Sequence, residues 1–140
     1  MTIPRKTTII TAASLQPSAM SLKVKAGQTL AEKRRRDFLF QCGLHDVPLP
    51  QTEVRFMAER KWMLDFAWAA QMVCLESHGG TKSYGKSGHN SAAGTARDRD
   101  KANAAQLRGW LYLQVASDEL CTVDTITLVK RALRVRSLTP

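Results

Sequence analysis

At 140 residues the chain has room for one domain with its own hydrophobic core, without disulfides or a structural metal. An apolar fraction of 44% excludes wholesale disorder, and no apolar run approaches the length of a transmembrane helix. The 21 Lys and Arg against 12 Asp and Glu leave a net charge of +9, which points to a polyanionic partner. Nucleic acid is preferred over a membrane surface, because no basic amphipathic stretch is long or clean enough for the latter.

Residues 1–26 are rich in Thr, Ser, Ala and Lys without a sustained period and are expected to form a flexible basic arm. They lack a continuous apolar core, so no signal peptide is read there. Cys42, Cys74 and Cys121 are odd in number, widely spaced and without a CxxC pair. They read as reduced, mostly buried thiols in a cytoplasmic protein.

The remaining residues, 27–140, are expected to form one domain. Thr29 to Gln41 reads as a helix, with Thr29 and Glu32 in a capping-box arrangement and Gly43 as the natural C-cap. Leu30, Phe38 and Phe40 are its expected apolar surface, and the Arg34–Arg36 run reads as a solvated face. Pro48 and Pro50 mark a loop. Glu53 to Phe56 and Trp62 to Trp68 read as a hairpin turning at Ala58 to Lys61, with Trp62, Leu64 and Phe66 on one face. Met72 to Ser77 reads as a buried strand.

Gly79 to Gly94 holds five glycines among Ser and Lys residues and reads as a long polar loop. Thr95 to Arg108 is a predicted helix stopped by Gly109, Trp110 to Val115 a strand, and Thr122 to Val135 a terminal helix with Val123, Ile126, Val129 and Leu133 at helical spacing. Helix, hairpin, strand, helix, strand, helix is an α/β order that a central mixed four-stranded sheet with flanking helices accommodates. Trp62, Trp68 and Trp110 read as core aromatics.

Asp65 stands between Leu64 and Phe66 in a predicted strand, where a carboxylate is costly if buried without a partner. Glu76 lies near the end of the next apolar run, and strand pairing would bring the two together. Two carboxylates converging at a strand end can hold Mg²⁺, with Mn²⁺ as a substitute, because a hard cation prefers oxygen ligands and keeps several waters. His78 follows Glu76 by two residues, so both share a face, and its imidazole is a candidate general base or proton relay. Gly79-Gly80 lets backbone approach a phosphate, and Lys82, Lys86 and His89 are candidate DNA-backbone contacts. Taken singly, Asp65, Glu76 and His78 are also compatible with solvent-facing strand positions.

The stretch Arg60-Lys61-Trp62-Met63-Leu64-Asp65-Phe66-Ala67-Trp68, followed by Glu76-Ser77-His78-Gly79-Gly80, resembles small phage and bacterial nucleases related to very short patch repair endonucleases. These belong to the restriction-endonuclease-like PD-(D/E)XK superfamily. Gly88-His89, Asp98 to Lys101, Asn103-Ala104-Ala105 and Gly109-Trp110 continue the pattern, which spans roughly residues 29–135.

The resemblance implies a restriction-endonuclease-like fold with the active site at one edge of the sheet. It implies Asp65 and Glu76 as metal ligands, with Glu32 on the first helix near the metal. Lys101 and Asn103 would face the site from a helix, and Arg60 and Lys61 would lie among the DNA contacts. One position departs: His78 stands where most relatives have Glu or Lys.

The expected activity is Mg²⁺-dependent hydrolysis of DNA phosphodiester bonds by Asp65, Glu76 and His78, with Lys101 as the second choice for the proton-handling role. A chain without a separate sequence-reading domain favours branched, nicked or mismatched DNA. A Holliday-junction resolvase would require a homodimer. The competing expectation is a catalytically degenerate nucleic-acid-binding protein of the same fold.

Overall fold

The computed structural model describes residues 27–79 and 92–138. The first helix, α1 (Leu30–Leu44), starts where its capping box predicts: Thr29 Oγ1 accepts from Glu32 N, and a Glu32 carboxylate oxygen accepts from Thr29 N at 2.8 Å. It ends one residue beyond Gly43, near where expected, but Gly43 is not the residue that closes it. The left-handed residue that ends it is Asp46 (φ 56°), after which the Val47 N–H donates to Cys42 O at 2.9 Å. That is a Schellman-type closure, and Asp is among the few residues that tolerate this conformation. The buried face of α1 carries Phe38, Leu39 and Cys42, whereas Leu30 is exposed.

Three antiparallel strands follow: β1 (Gln51–Arg55), β2 (Met63–Trp68) and β3 (Val73–His78). The connection from β1 to β2 is wider than a tight hairpin, because the Arg55 guanidinium donates to the carbonyls of Ala58 and Arg60 and holds the loop open. Then come α2 (Ala92–Leu107), β4 (Leu111–Ala116), a single 3₁₀ turn at Ser117–Glu119, and α3 (Val123–Leu138). Helix α2 begins three residues before the predicted start and ends at Gly109 (φ 88°), a backbone angle that suits glycine. Strand β4 pairs parallel to β3, giving a mixed sheet in the order β1-β2-β3-β4.

The sheet is covered on both faces. Helices α1 and α3 pack Phe38, Leu39, Ile126, Val129 and Leu133 against Phe66, Trp68, Val73 and Leu75. Helix α2 covers the other face with Ala105, against Leu64, Ala67 and Cys74. Leu64 and Phe66 therefore lie on opposite faces, contrary to simple alternation. The change falls at Asp65, where the facing β1 residue, Glu53, has φ 52°. Trp68 and Trp110 are buried, but Trp62 is only half-buried and lies under the Arg60 guanidinium, 5.0 Å from its ring centre. Of the expected α3 stripe, Ile126, Val129 and Leu133 are buried and Val123 is exposed.

Among the described residues no helix is long and apolar enough to cross a membrane. The expected basic arm, residues 1–26, lies outside the described residues, as does most of the expected loop after Gly79.

Candidate active site

Backbone pairing between β2 and β3 runs from Trp68↔Val73 to Phe66↔Leu75 and goes no further. At the next step carboxylates replace carbonyls in the ladder. The Asp65 N–H donates to Glu76 Oε1 at 2.8 Å, and the Ser77 N–H donates to Asp65 Oδ2 at 2.9 Å. Each acid is thus oriented by the other strand's backbone. This juncture lies on the two inner strands, not at a sheet edge, because β1 and β4 occupy the edges.

Glu76 is 3% exposed and faces α2, where Lys101 Nζ donates to its Oε2 at 2.7 Å. Burial, then the Asp65 charge, raises the Glu76 carboxyl from its ordinary 4.5 to about 6 against the opposing pull of Lys101. Lys101 is therefore the cation in direct contact with Glu76. His78 shares the Glu76 face, as the strand period requires. Its Nδ1 lies 4.0 Å from Asp98 Oδ2, and its Nε2 is buried without a hydrogen-bond partner among the described residues.

Two of the expected site residues are placed elsewhere. Glu32 is held at the helix cap by Thr29 and does not line the cavity beside Asp65. Asn103 is exposed: two residues beyond Lys101 on a helix is a turn of about 200°, so both cannot face the sheet. Arg60 and Lys61 lie in the β1–β2 loop. Lys82, Lys86 and His89 lie outside the described residues.

Other residues join the site without having been singled out as part of it. A cavity of about 400 Å³ opens beside Asp65 on the α1 side, lined by Arg34, Arg35, Phe66, Ser77 and Ser117 among others. The Arg34–Arg36 run is therefore not simply a solvated face. The signal was present in the spacing, since Arg34 and Arg35 precede Phe38 and Leu39 by one turn and continue the buried side.

On the α2 side, Tyr112 Oη is buried without a hydrogen-bond partner among the described residues. Burial, then the Glu76 charge, raises its phenol well above the ordinary range. Burial likewise pushes Cys42 and Cys74 up to about 12 and Cys121 to about 11, so none offers a thiolate at neutral pH.

Among the described residues no group of three or more His, Cys, Asp or Glu side chains is placed to hold a metal ion. The donor set at the strand juncture is a carboxylate pair with one adjacent ammonium. Asp65 carries a second oxygen beyond the one that accepts from Ser77, and Glu76 is raised partly by Asp65. Both Glu76 oxygens already accept hydrogen bonds, from the Asp65 N–H and Lys101, so a divalent cation that retains several waters would take the second Asp65 oxygen and share Glu76 with those donors. No protein-family model, curated protein or solved structure matches the chain.

Proposed function

We propose that the chain is a metal-dependent DNA endonuclease with a restriction-endonuclease-like fold. The observation that carries this reading is the Asp65–Glu76–Lys101 constellation at the point where β2 and β3 part. The mixed four-stranded sheet flanked by helices agrees with the fold that the motif resemblance implies. The net charge of +9 agrees with a nucleic-acid substrate.

In this reading Asp65 and Glu76 would hold Mg²⁺, or Mn²⁺ in its place. When bound, such an ion supplies Lewis acidity toward the scissile phosphate and lowers the pKa of a coordinated water. The chain's own residues prepare the site. The Asp65 and Ser77 N–H groups hold the carboxylates in fixed orientations without reorganisation during the reaction. Lys101 keeps Glu76 ionised against its burial and sets a positive charge where negative charge grows on the phosphate. His78 shares the face of Glu76, and its imidazole carries the proton to or from solvent, with Asp98 beside Nδ1.

The test is a cleavage assay on linear, nicked, flapped, mismatched and four-way DNA, each with Mg²⁺, Mn²⁺ or EDTA, alongside Asp65→Asn. Metal-dependent cutting that the substitution removes supports the reading, and the preferred substrate defines the role in repair or recombination. A second reading, a DNA-binding protein that has lost catalysis, draws on His78, which stands where the nucleases that the motif resembles have Glu or Lys. Folded protein that binds DNA but cuts none of the panel with either metal selects that reading.

A further inference from the structure

We propose that the bay between α1 and the sheet is a phosphodiester subsite, with Arg34 as its anchoring cation. It would hold a DNA phosphate next to the scissile one and the sugar attached to it. The choice of DNA as the ligand rests on the function proposed above, whereas the anionic character of the ligand rests on the bay itself.

The cavity of about 400 Å³ is large enough for such a group, within the range of roughly 300–1,000 Å³ typical of ligand pockets. Its charged lining is two guanidiniums against one carboxylate, Asp65. Arg35 is already committed in part, with Nη2 3.2 Å from Glu53 Oε1. Arg34 has no salt bridge among the described residues. It is nonetheless half-buried, on the turn of α1 whose backbone is packed against Cys121.

A guanidinium stays charged at any working pH and presents a fork of donors matched to phosphate oxygens. The serines do not compete for this role. Ser77 Oγ donates to Ser117 Oγ, and Ser117 Oγ donates to the His78 carbonyl, so both hydroxyl protons are used within the protein. Leu30, Phe66 and Leu120 form apolar walls that suit the sugar and not the phosphate. Asp65, in the same lining, places the subsite next to the carboxylate pair.

The test measures the affinity of the full chain for a short DNA duplex as a function of NaCl, in EDTA so that no cleavage occurs. Wild type is compared with Arg34→Gln, Arg34→Lys and Arg131→Gln. Arg131 is exposed on α3 and does not line the bay, so its variant controls for loss of one charge. Arg34→Gln is expected to bind on the order of tenfold more weakly, with a salt slope shallower by about one. Arg34→Lys is expected to regain the slope but only part of the affinity, and Arg131→Gln to stay within about twofold of wild type.

Equal behaviour of Arg34→Gln and Arg131→Gln overturns the subsite. Should Arg34→Gln fail to fold, the arginine Nε–Hε resonances of the wild type decide: a shift of the Arg34 signal on adding duplex supports the subsite, and an unmoved signal overturns it. Arg34-dependent binding without metal-dependent cleavage keeps the subsite and rejects the nuclease. Cleavage with an Arg34-independent KM does the reverse.

Discussion

The two faces of the sheet are built differently. The face under α1 and α3 is a broad apolar core, with Phe38 tilted against Phe66 at 4.6 Å between ring centres and edge-on to Trp68. Its polar groups are few: Thr125 on α3 is buried and donates to the Glu119 carbonyl, and Asp37 on α1 pairs with Lys33. The face under α2 is smaller, and it buries an ion pair, Glu76 with Lys101, and two polar atoms without partners among the described residues. Such groups weaken a core unless every one is satisfied. The difference teaches that the α1/α3 face carries most of the apolar burial, whereas the α2 face gives part of its smaller core to the buried Glu76–Lys101 pair.

Substitutions can break that comparison. The largest expected effect is on activity. Asp65→Asn removes one of the two carboxylates while keeping a similar shape, and should lower metal-dependent cleavage about a thousandfold or more, corresponding to the loss of several kcal/mol of transition-state stabilisation. Its melting temperature should stay near that of wild type, and a collapse of the fold would instead mark Asp65 as structural. On the opposite face, Phe38→Ala should cost about 3–5 kcal/mol in urea unfolding, because Phe38 is fully buried in the larger core. A cost below about 1 kcal/mol would show that this face is not the anchor.

Lys101→Met tests whether the α2 face carries the ion pair for function. It leaves Glu76 buried without its partner and raises its carboxyl further. Cleavage should fall about a hundredfold, and its pH profile should move to higher pH. An unchanged profile would remove Lys101 from the site.

The pH dependence sharpens the same point, and its sign is set by Glu76. The folded-state pKa is raised above the ordinary value of 4.5, so the native state holds the Glu76 proton more tightly than the unfolded chain does. Its contribution to stability is fully present below about 4.5 and is lost as pH rises through about 6. Cleavage should run the other way, rising with pH and levelling off above about 6, because the ionised carboxylate is the form that binds a cation. Stability and activity with opposite slopes across this window would tie both to one group. Parallel slopes would assign the titration to another residue.

The smallest effect lies far from either face. Thr29→Ala removes the capping-box acceptor at the start of α1 and should cost about 1 kcal/mol, read by thermal melting, without changing the cleavage pH profile.

Much of the architecture was legible in the residues. Each helix and strand was placed in its correct order from periodicity and turn residues, since those signals are local. The start of α1 was readable because a capping box is a four-residue pattern. Its end was readable to within a residue, but the residue that closes it was not, because Asp46 and not the nearby Gly43 adopts the left-handed conformation. The Asp65 and Glu76 pair was also legible, since a carboxylate inside an apolar strand is conspicuous. The same reading placed Glu32 and Asn103 at the site, and packing placed them elsewhere. Glu32 was taken up by the cap that it also predicts, and Asn103 was turned away by the pitch of α2.

The sequence by itself determined the element order, the capping of α1, and which two acids would be expensive to bury alone. It did so because hydrophobic period, cap chemistry and desolvation cost depend on a residue and its near neighbours. Only the tertiary structure decided that β2 and β3 part at Asp65, that Lys101 rather than His78 touches Glu76, and that Arg34 faces a cavity beside them. Those outcomes depend on how a crossover helix lies over a sheet and where a strand ladder stops. Both are set by contacts between residues tens of positions apart, which no local pattern encodes.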